Sequence, residues 1–528
     1  RGESEKILRK SIASDRKTII QRNKHFLFHN RHVRNDFLET VFEDALGRLI
    51  LPSIENEVMN EKKKQADEEA IAVFASNLEK LLLAPMAGNL KTLAIDPGFR
   101  TGCKVVALDG TGKLLDTVTI FPNKPQQKTD EAAKKIQQFI EKYKIEAIAI
   151  GNGTASRETL SFIKSTVDKA LLVMVVSESG ASVYSASATA REEFPDQDVT
   201  VRGAVSIGRR FQDPLSELVK IDPKSIGVGQ YQHDVNQGLL ARKLDHVVSS
   251  VVNRVGVEVN TASYHLLRYV SGIGDSVARN IAEYRNRHGA FGKRSDLLNV
   301  SKFGKKGFTQ SAGFLRIRNG VNPLEVTGIH PESYGVVDAI MEATGLEMEQ
   351  LLNNTSVLDR LNATSFQTEK FGLPTVKDII SELKKPGRDP RKDFEVFEFA
   401  DGIESIDDLE AEMVLKGVVT NVTHFGAFVD IGVHQDGLVH VSELSTQFVS
   451  NPETVVAVGD KVQVKVMQVD RELKRIQLSM KALMKRNVTH DKKPAKKHRK
   501  KQMTKANRES SPKKPVDPVK SLMEKWGK

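Results

Sequence analysis

Between residues 411 and 482, apolar and polar side chains alternate in five short runs separated by glycine-bearing turns. A two-residue period belongs to strands with one buried face, and five such strands in so short a stretch point to a small closed barrel. The runs cover 414–422, 426–431, 437–441, 461–469 and 475–479. Gly417, Gly426, Gly432 and Gly437 fall where such a barrel must bend or turn. Phe425, Phe428 and His440 lie on adjacent runs, so the pleat can set their rings on one outer wall. Stacking a base on such a ring is worth roughly 1–3 kcal/mol and needs little sequence preference. Lys416, Lys465 and Arg475 are the candidate phosphate partners. The competing assignments are barrel core for either phenylalanine and a structural hydrogen-bonding role for His440.

A second pattern begins at Lys91. The run 93–96 ends in Pro97-Gly98; the runs 103–108 and 114–120 follow, joined by Asp109-Gly110-Thr111-Gly112. These read as an antiparallel meander. Helices over 128–143, 157–167 and 182–193 then alternate with strands over 147–150 and 172–176, which implies parallel pairing. The order βββαβαβα is that of the ribonuclease-H-like fold. In that fold, carboxylates at strand ends hold two metal ions that activate water for phosphodiester cleavage. Asp96, Glu178 and Asp213 are the candidate catalytic and metal-binding residues, and hard oxygen donors suit Mg or Mn. The domain resembles the RuvC-like resolvase branch, with one departure. Resolvases usually carry a glutamate where this chain has Asn152, a neutral and poorer ligand. A metal-dependent nuclease and a catalytically silent binding platform both remain open, and Gly151-Asn152-Gly153-Thr154 also reads as a plain strand-to-helix turn.

The remainder reads as helical. Residues 1–90 form a helical scaffold in which Leu51-Pro52 breaks the apolar period. Residues 231–268 are expected as long connecting helices, and 326–400 as a helical domain ending in the linker Pro386-Gly387-Arg388-Asp389-Pro390. Between them, in 269–325, Gly272-Ile273-Gly274 precedes a helix. Glycines let the chain turn tightly there and aim backbone amides at a phosphate. This resembles a helix-hairpin-helix motif, with Ala278 and Ile281 packing the two helices. A degenerate second copy is expected at Phe303-Gly304-Lys305-Lys306-Gly307, where Lys305 and Lys306 stand in for the apolar centre and add charge. A purely architectural hairpin is the alternative.

Charge is distributed unevenly. Residues 485–528 carry 16 basic and 4 acidic side chains, whereas the preceding 484 residues carry 63 and 64. The low-complexity tail is expected to be disordered and to neutralise phosphates, or else simply to be solvated. Cys103 is the only cysteine, which excludes a disulfide scaffold and cysteine zinc sites and fits a reducing cytoplasm. No run of about 20 apolar residues is present, so no membrane partner is expected. The chain opens on Arg1 in charged helical sequence, and we read it as lacking a native N-terminal part.

Two resemblances extend these readings. Lys416-Gly417-Val418-Val419, Phe425-Gly426-Ala427-Phe428-Val429-Asp430 and Gly437-Leu438-Val439-His440-Val441-Ser442 resemble the S-one domain, an OB-fold repeat named after a ribosomal protein. Asp96-Pro97-Gly98-Phe99-Arg100-Thr101-Gly102, Gly151-Asn152-Gly153-Thr154-Ala155-Ser156-Arg157-Glu158 and Ser179-Gly180-Ala181-Ser182-Val183-Tyr184 together resemble the Tex family over about residues 1–482. That resemblance implies a mainly α, multi-domain chain. Its embedded α/β ribonuclease-H-like (YqgF/RuvC-like) domain spans 91–230, its tandem helix-hairpin-helix region 269–325 and its C-terminal OB-fold barrel 411–482. It implies RNA and DNA binding, mainly of single strands, linked to transcription, with RNA polymerase or the ribosome as candidate protein partners. A scaffold role on those assemblies is a further alternative.

Overall fold

The computed structural model describes residues 6–9, 11–27, 35–229, 231–391, 403, 405–433 and 435–484. The basic tail 485–528 and most of the stretch after Arg391 lie outside the described residues. Two helices, α1 (Arg16–Leu27) and α2 (Asn35–Ala45), lead through a π-helical turn at Leu46–Ile50 into the 32-residue helix α3 (Leu51–Leu82). Pro52 closely follows the π-helical turn and sits in the first turn of α3, so the helical run continues through it rather than ending there. Only the C-terminal half of α3 is apolar on one face: Ile71, Phe74, Ala75, Leu78 and Leu82 are buried.

The α/β domain has the expected meander and crossovers. Strands β1 (Thr92–Asp96), β2 (Cys103–Leu108), β3 (Leu114–Ile120), β4 (Ala147–Gly151) and β5 (Leu172–Val176) form one sheet in the order β3-β2-β1-β4-β5. β1 runs antiparallel to β2 and parallel to β4, which places the ends of β1 and β4 side by side. Helices α4 (Thr129–Tyr143) and α5 (Ser156–Thr166) cover one face through Ile136 and Ile163. The helix expected over 182–193 is two, α6 (Ala181–Ala186) and α7 (Ala188–Glu193), because Ser187 is extended and caps the second. Helix α8 (Val199–Gln212) covers the other face, packing Ala204 and Val205 among Ala94, Ala147 and Ala149; the short α9 (Pro214–Leu218) follows.

Of the long helical stretch expected over 231–268, α10 (Gln237–Val255) is continuous and packs on α3. Gly256, at φ +81°, ends it, and the bridge β6 (Val257–Glu258) pairs with β7 (Leu315–Arg316). Between those strands lie α11 (Tyr264–Leu267), α12 (Asp275–His288) and α13 (Lys305–Ser311). Arg294 is completely buried beneath them, bonded to Glu325 at 2.8 Å and to the carbonyls of Ala312 and Leu324. A separate core forms around α14 (Tyr334–Thr344), α15 (Met348–Leu351), α16 (Thr355–Leu358) and α17 (Leu373–Lys384). Finally β8 (Val414–Thr423), β9 (Gly426–Asp430), β10 (Gly437–His440), β11 (Lys461–Asp470) and β12 (Arg475–Ser479) close a barrel in the order β10-β12-β11-β8-β9. The four-residue helix α18 (Val441–Leu444) follows β10. No helix among the described residues is long and apolar enough to cross a membrane.

Candidate nucleic-acid interface

The pleat sorts the barrel residues. Ala427, Val429, Val439, Ile476 and Leu478 point inward and are buried. Phe428, Leu438 and Gln477 are their outward neighbours, and register sets them in one row across β9, β10 and β12. His440 stands above that row and Arg475 below it on the same wall, both exposed. Phe425, in the β8–β9 turn, is 48% exposed and meets Phe428 edge-to-face, ring centroids 6.0 Å apart. The His440 ring is held by its edge: Nδ1 accepts from the Ser442 amide and lies 2.9 Å from the Ser442 hydroxyl. Three flat rings and one guanidinium therefore share a wall.

The other two candidate cations do not join it. Lys416 pairs in register with Gln463 on the β8–β11 side of the barrel. Lys465, on that side too, is paired with Glu412 at 2.5 Å. The strand order was needed to separate them from Arg475.

Leu81 of α3 packs against the barrel core, and two polar pairs help to seat the barrel on the rest of the chain. Buried Asn77 of α3 donates to the Asn421 side chain at 3.1 Å and to the carbonyl of Val228 at 3.0 Å. Asn421 occupies a bulge in β8 opposite Phe428. Arg157 of α5 lies 3.6 Å from Asp430, two residues beyond Phe428. The β8 side and the Asp430 end of the aromatic strand thus abut the body, while the His440 end does not make these contacts.

The two hairpins differ from the sequence expectation in one register. Val270-Ser271-Gly272-Ile273-Gly274 aligns with Val300-Ser301-Lys302-Phe303-Gly304. Ile273 and Phe303 are both buried, and each amide bonds back three residues, to Val270 and Val300. Gly274 and Gly304 cap their helices at φ −87° with ψ 169° and 172°. The apolar centre of the second hairpin is therefore Phe303. Lys305 and Lys306 do not replace it; they are the first residues of α13. The residue missed is Lys302, which takes the left-handed position of Gly272 (φ +65° against +85°) and is exposed. The repeated Val-Ser dipeptide was the available signal. The first turn also touches the second hairpin's helix: a β-carbon on Gly272 would come within 2.8 Å of the Gly307 carbonyl in α13. Their charges differ. The first helix begins with Asp275, held by Arg279 at 3.2 Å, whereas the second presents Lys302, Lys305 and Lys306.

In the α/β domain, Asp96 and Glu178 come together and Asp213 does not. Glu178 follows β5, but its carboxylate reaches back over the end of β4. A β-carbon at Gly151 would lie 2.6 Å from Glu178 Oε2, and one at Gly153 would fall inside the carboxylate, so both glycines make its room. Asn152 serves the backbone instead, its Oδ1 accepting the Glu178 amide at 3.0 Å. Buried Arg210 holds the same turn through the carbonyls of Ser177 and Ser179. Burial, then the neighbouring Glu178 charge, raises the Asp96 carboxyl to about 6 against the opposing pull of Lys104, its cross-strand partner. Burial also raises Glu178, opposed by the Gly153 amide and Arg210.

Asp213 caps α9 and pairs with buried Arg391 at 2.7 Å; Arg391 also holds Asp389 at 2.6 Å. The site end of α8 is marked by Gly203, beside Asp96, and Asp213 lies ten residues on, about 15 Å along the helix axis. The expected linker is thus clamped to the expected third ligand. Among the described residues no three acidic, histidine or cysteine side chains group as a metal site. Two carboxylates bordered by Lys104 and Arg210 do not fit a two-metal centre, and no cleavage step follows from them.

Residues 90–212 match the Tex protein YqgF-like domain, 252–316 a helix-hairpin-helix motif, 322–391 an HHH domain and 408–481 the S1 RNA binding domain. The third match covers a region whose sequence pattern reads only as helical. Protein YhgF of Escherichia coli is 55% identical over 439 residues, 82% of this chain and 56% of that protein. Transcriptional accessory protein Tex of Neisseria gonorrhoeae is 53% identical over 435 residues, 82% of this chain and 57% of that protein. Uncharacterized protein YdcI of Bacillus subtilis is 47% identical over 488 residues, 91% of this chain and 68% of that protein. The chain spans little more than half the length of the first two.

Proposed function

The chain belongs to the Tex family, and from that membership we propose that it binds unpaired RNA or DNA as an accessory to transcription. The barrel supplies stacking surfaces and the second hairpin supplies phosphate contacts. The observation that carries this reading is the barrel wall shared by Phe425, Phe428, His440 and Arg475, with Phe425 and Phe428 in edge-to-face contact. Rings give affinity without base preference, and the guanidinium neutralises the backbone beside them. Association with RNA polymerase or the ribosome is the protein-level counterpart of this role, and a pull-down with purified polymerase tests it. We assign the α/β domain to a binding platform rather than a nuclease, because among the described residues no third ligand joins its paired carboxylates.

The decisive measurement is binding of labelled single- and double-stranded RNA and DNA at two salt concentrations. Replacing Phe425, Phe428 and His440 together with alanine should abolish most single-strand affinity; unchanged affinity would overturn the reading. Products from branched or single-stranded DNA with Mn²⁺, abolished by Asp96→Asn, would overturn the platform assignment.

A further inference from the structure

We propose that Phe448 is a further base-stacking residue, carrying a bound strand off the wall and across the end of the barrel. This rests on the single-strand binding proposed for the barrel and extends it.

Among the described residues, the exposed Phe and Tyr side chains are Phe37, Tyr231, Phe425 and Phe448. Two of the four therefore belong to the barrel. Phe448 is 95% exposed, the highest value of any large apolar side chain described. A phenylalanine so fully in water contributes nothing to the core, whereas its neighbour Val449 packs against it.

The topology puts Phe448 at the same barrel end as the upper rings. Thr423 and His440 both pair with Gly426, so the β8–β9 turn and the end of β10 are adjacent. The amide of Val441 donates to the Phe425 carbonyl at 2.8 Å, which ties the start of α18 to that turn. From Leu444, which is buried, the chain crosses this end and returns at Val456 and Gly459, where the Gly459 amide donates to the Val419 carbonyl of β8. Phe448 lies on that crossing. His424, next to Phe425, is exposed at the same end.

The body contacts give the strand its direction. A strand lying on Phe428 meets the Asn77–Asn421 contact on the β8 side and the Arg157–Asp430 pair at the lower end of β9. The His440 end is the way out, and the crossing that carries Phe448 lies there. Around it in sequence stand Ser445, Thr446, Gln447, Ser450 and Asn451, neutral side chains with hydrogen-bonding groups. A lone ring in polar surroundings suits a base, which offers a flat face and polar edges. Docking of a folded protein would call for a contiguous apolar patch.

The test uses the full chain and single-stranded oligonucleotides of increasing length, at salt high enough to suppress purely phosphate-mediated binding. Phe448→Ala should weaken binding of longer oligonucleotides about 5- to 100-fold and leave the shortest ones that bind unaffected. Phe448→Trp should hold or raise affinity and Phe448→Leu should behave like alanine, since only an aromatic face stacks. Phe425→Ala is the reference. If Phe425→Ala weakens binding and Phe448→Ala does not at any length, Phe448 is no stacking residue, and a protein-docking role takes its place. If neither variant changes affinity, the single-strand reading itself fails.

Discussion

The side-chain amide of Asn77, in the longest helix among the described residues, donates to Asn421 of the barrel at 3.1 Å across 344 positions of sequence. The same amide reaches the Val228 carbonyl, so one buried side chain joins three distant segments. Removing a buried donor leaves its acceptors unpaired, at a cost of about 1–3 kcal/mol. Asn77→Leu should lower unfolding stability by that amount and speed amide exchange in the Asn421 bulge. Unchanged exchange at Asn421 would mean that this bond does not seat the barrel.

The hairpins should contribute unequally. Each phosphate contact removed lowers the slope of log affinity against log salt by about one. Replacing Lys302, Lys305 and Lys306 with glutamine should therefore reduce the slope by up to about three, with similar losses for different base sequences. Asp275→Asn removes a negative charge from the first hairpin and should tighten binding. A salt slope that the triple variant leaves unchanged would assign the second hairpin to architecture.

Asp96 should titrate near pH 6, displaced upward by burial and by Glu178. Its folded value lies above its unfolded one. Its stabilising contribution is thus complete below about pH 4 and is lost as pH rises through about 6. Asp96→Asn should gain on the order of 1–3 kcal/mol over the wild type at pH 8 and nothing at pH 4. Glu178→Gln should lower the Asp96 midpoint. Carboxyl NMR reads both, and a midpoint near 4 in the wild type would contradict the geometry.

His265 lies in the opposite regime. It is buried between α11 and the rest of the core, and burial, followed by Lys220 and Arg268, depresses its imidazole to about 4. A depressed folded value means stability present above about pH 6.5 and lost as pH falls toward 4. The loss is about 2–3 kcal/mol. Urea unfolding across pH 4–7 should show this slope, and His265→Gln should flatten it. Identical slopes in the two proteins would place the acid sensitivity elsewhere.

Local constraints were legible in the chain itself. The two-residue period of 414–479 and the glycines between its runs located every barrel strand, since a pleat with one buried face admits no other pattern. The order of strands and helices likewise identified the ribonuclease-H-like sheet, and the motifs around Asp96, Gly151 and Ser179 identified the family. What tertiary structure alone decided were the meetings between segments. Asp213 was a plausible third ligand by position, but ten residues of helix carry it away to Arg391. Glu178 stood a strand away from Asp96, but two glycines let its carboxylate cross. Lys465 and Arg475 were equivalent cations until strand pairing set them at opposite ends of the β11–β12 ladder and Glu412 claimed one. Periodicity reports which side of its own strand or helix a residue occupies. It carries no information about which distant side chain the packed chain brings opposite, and charge pairing depends on that distance.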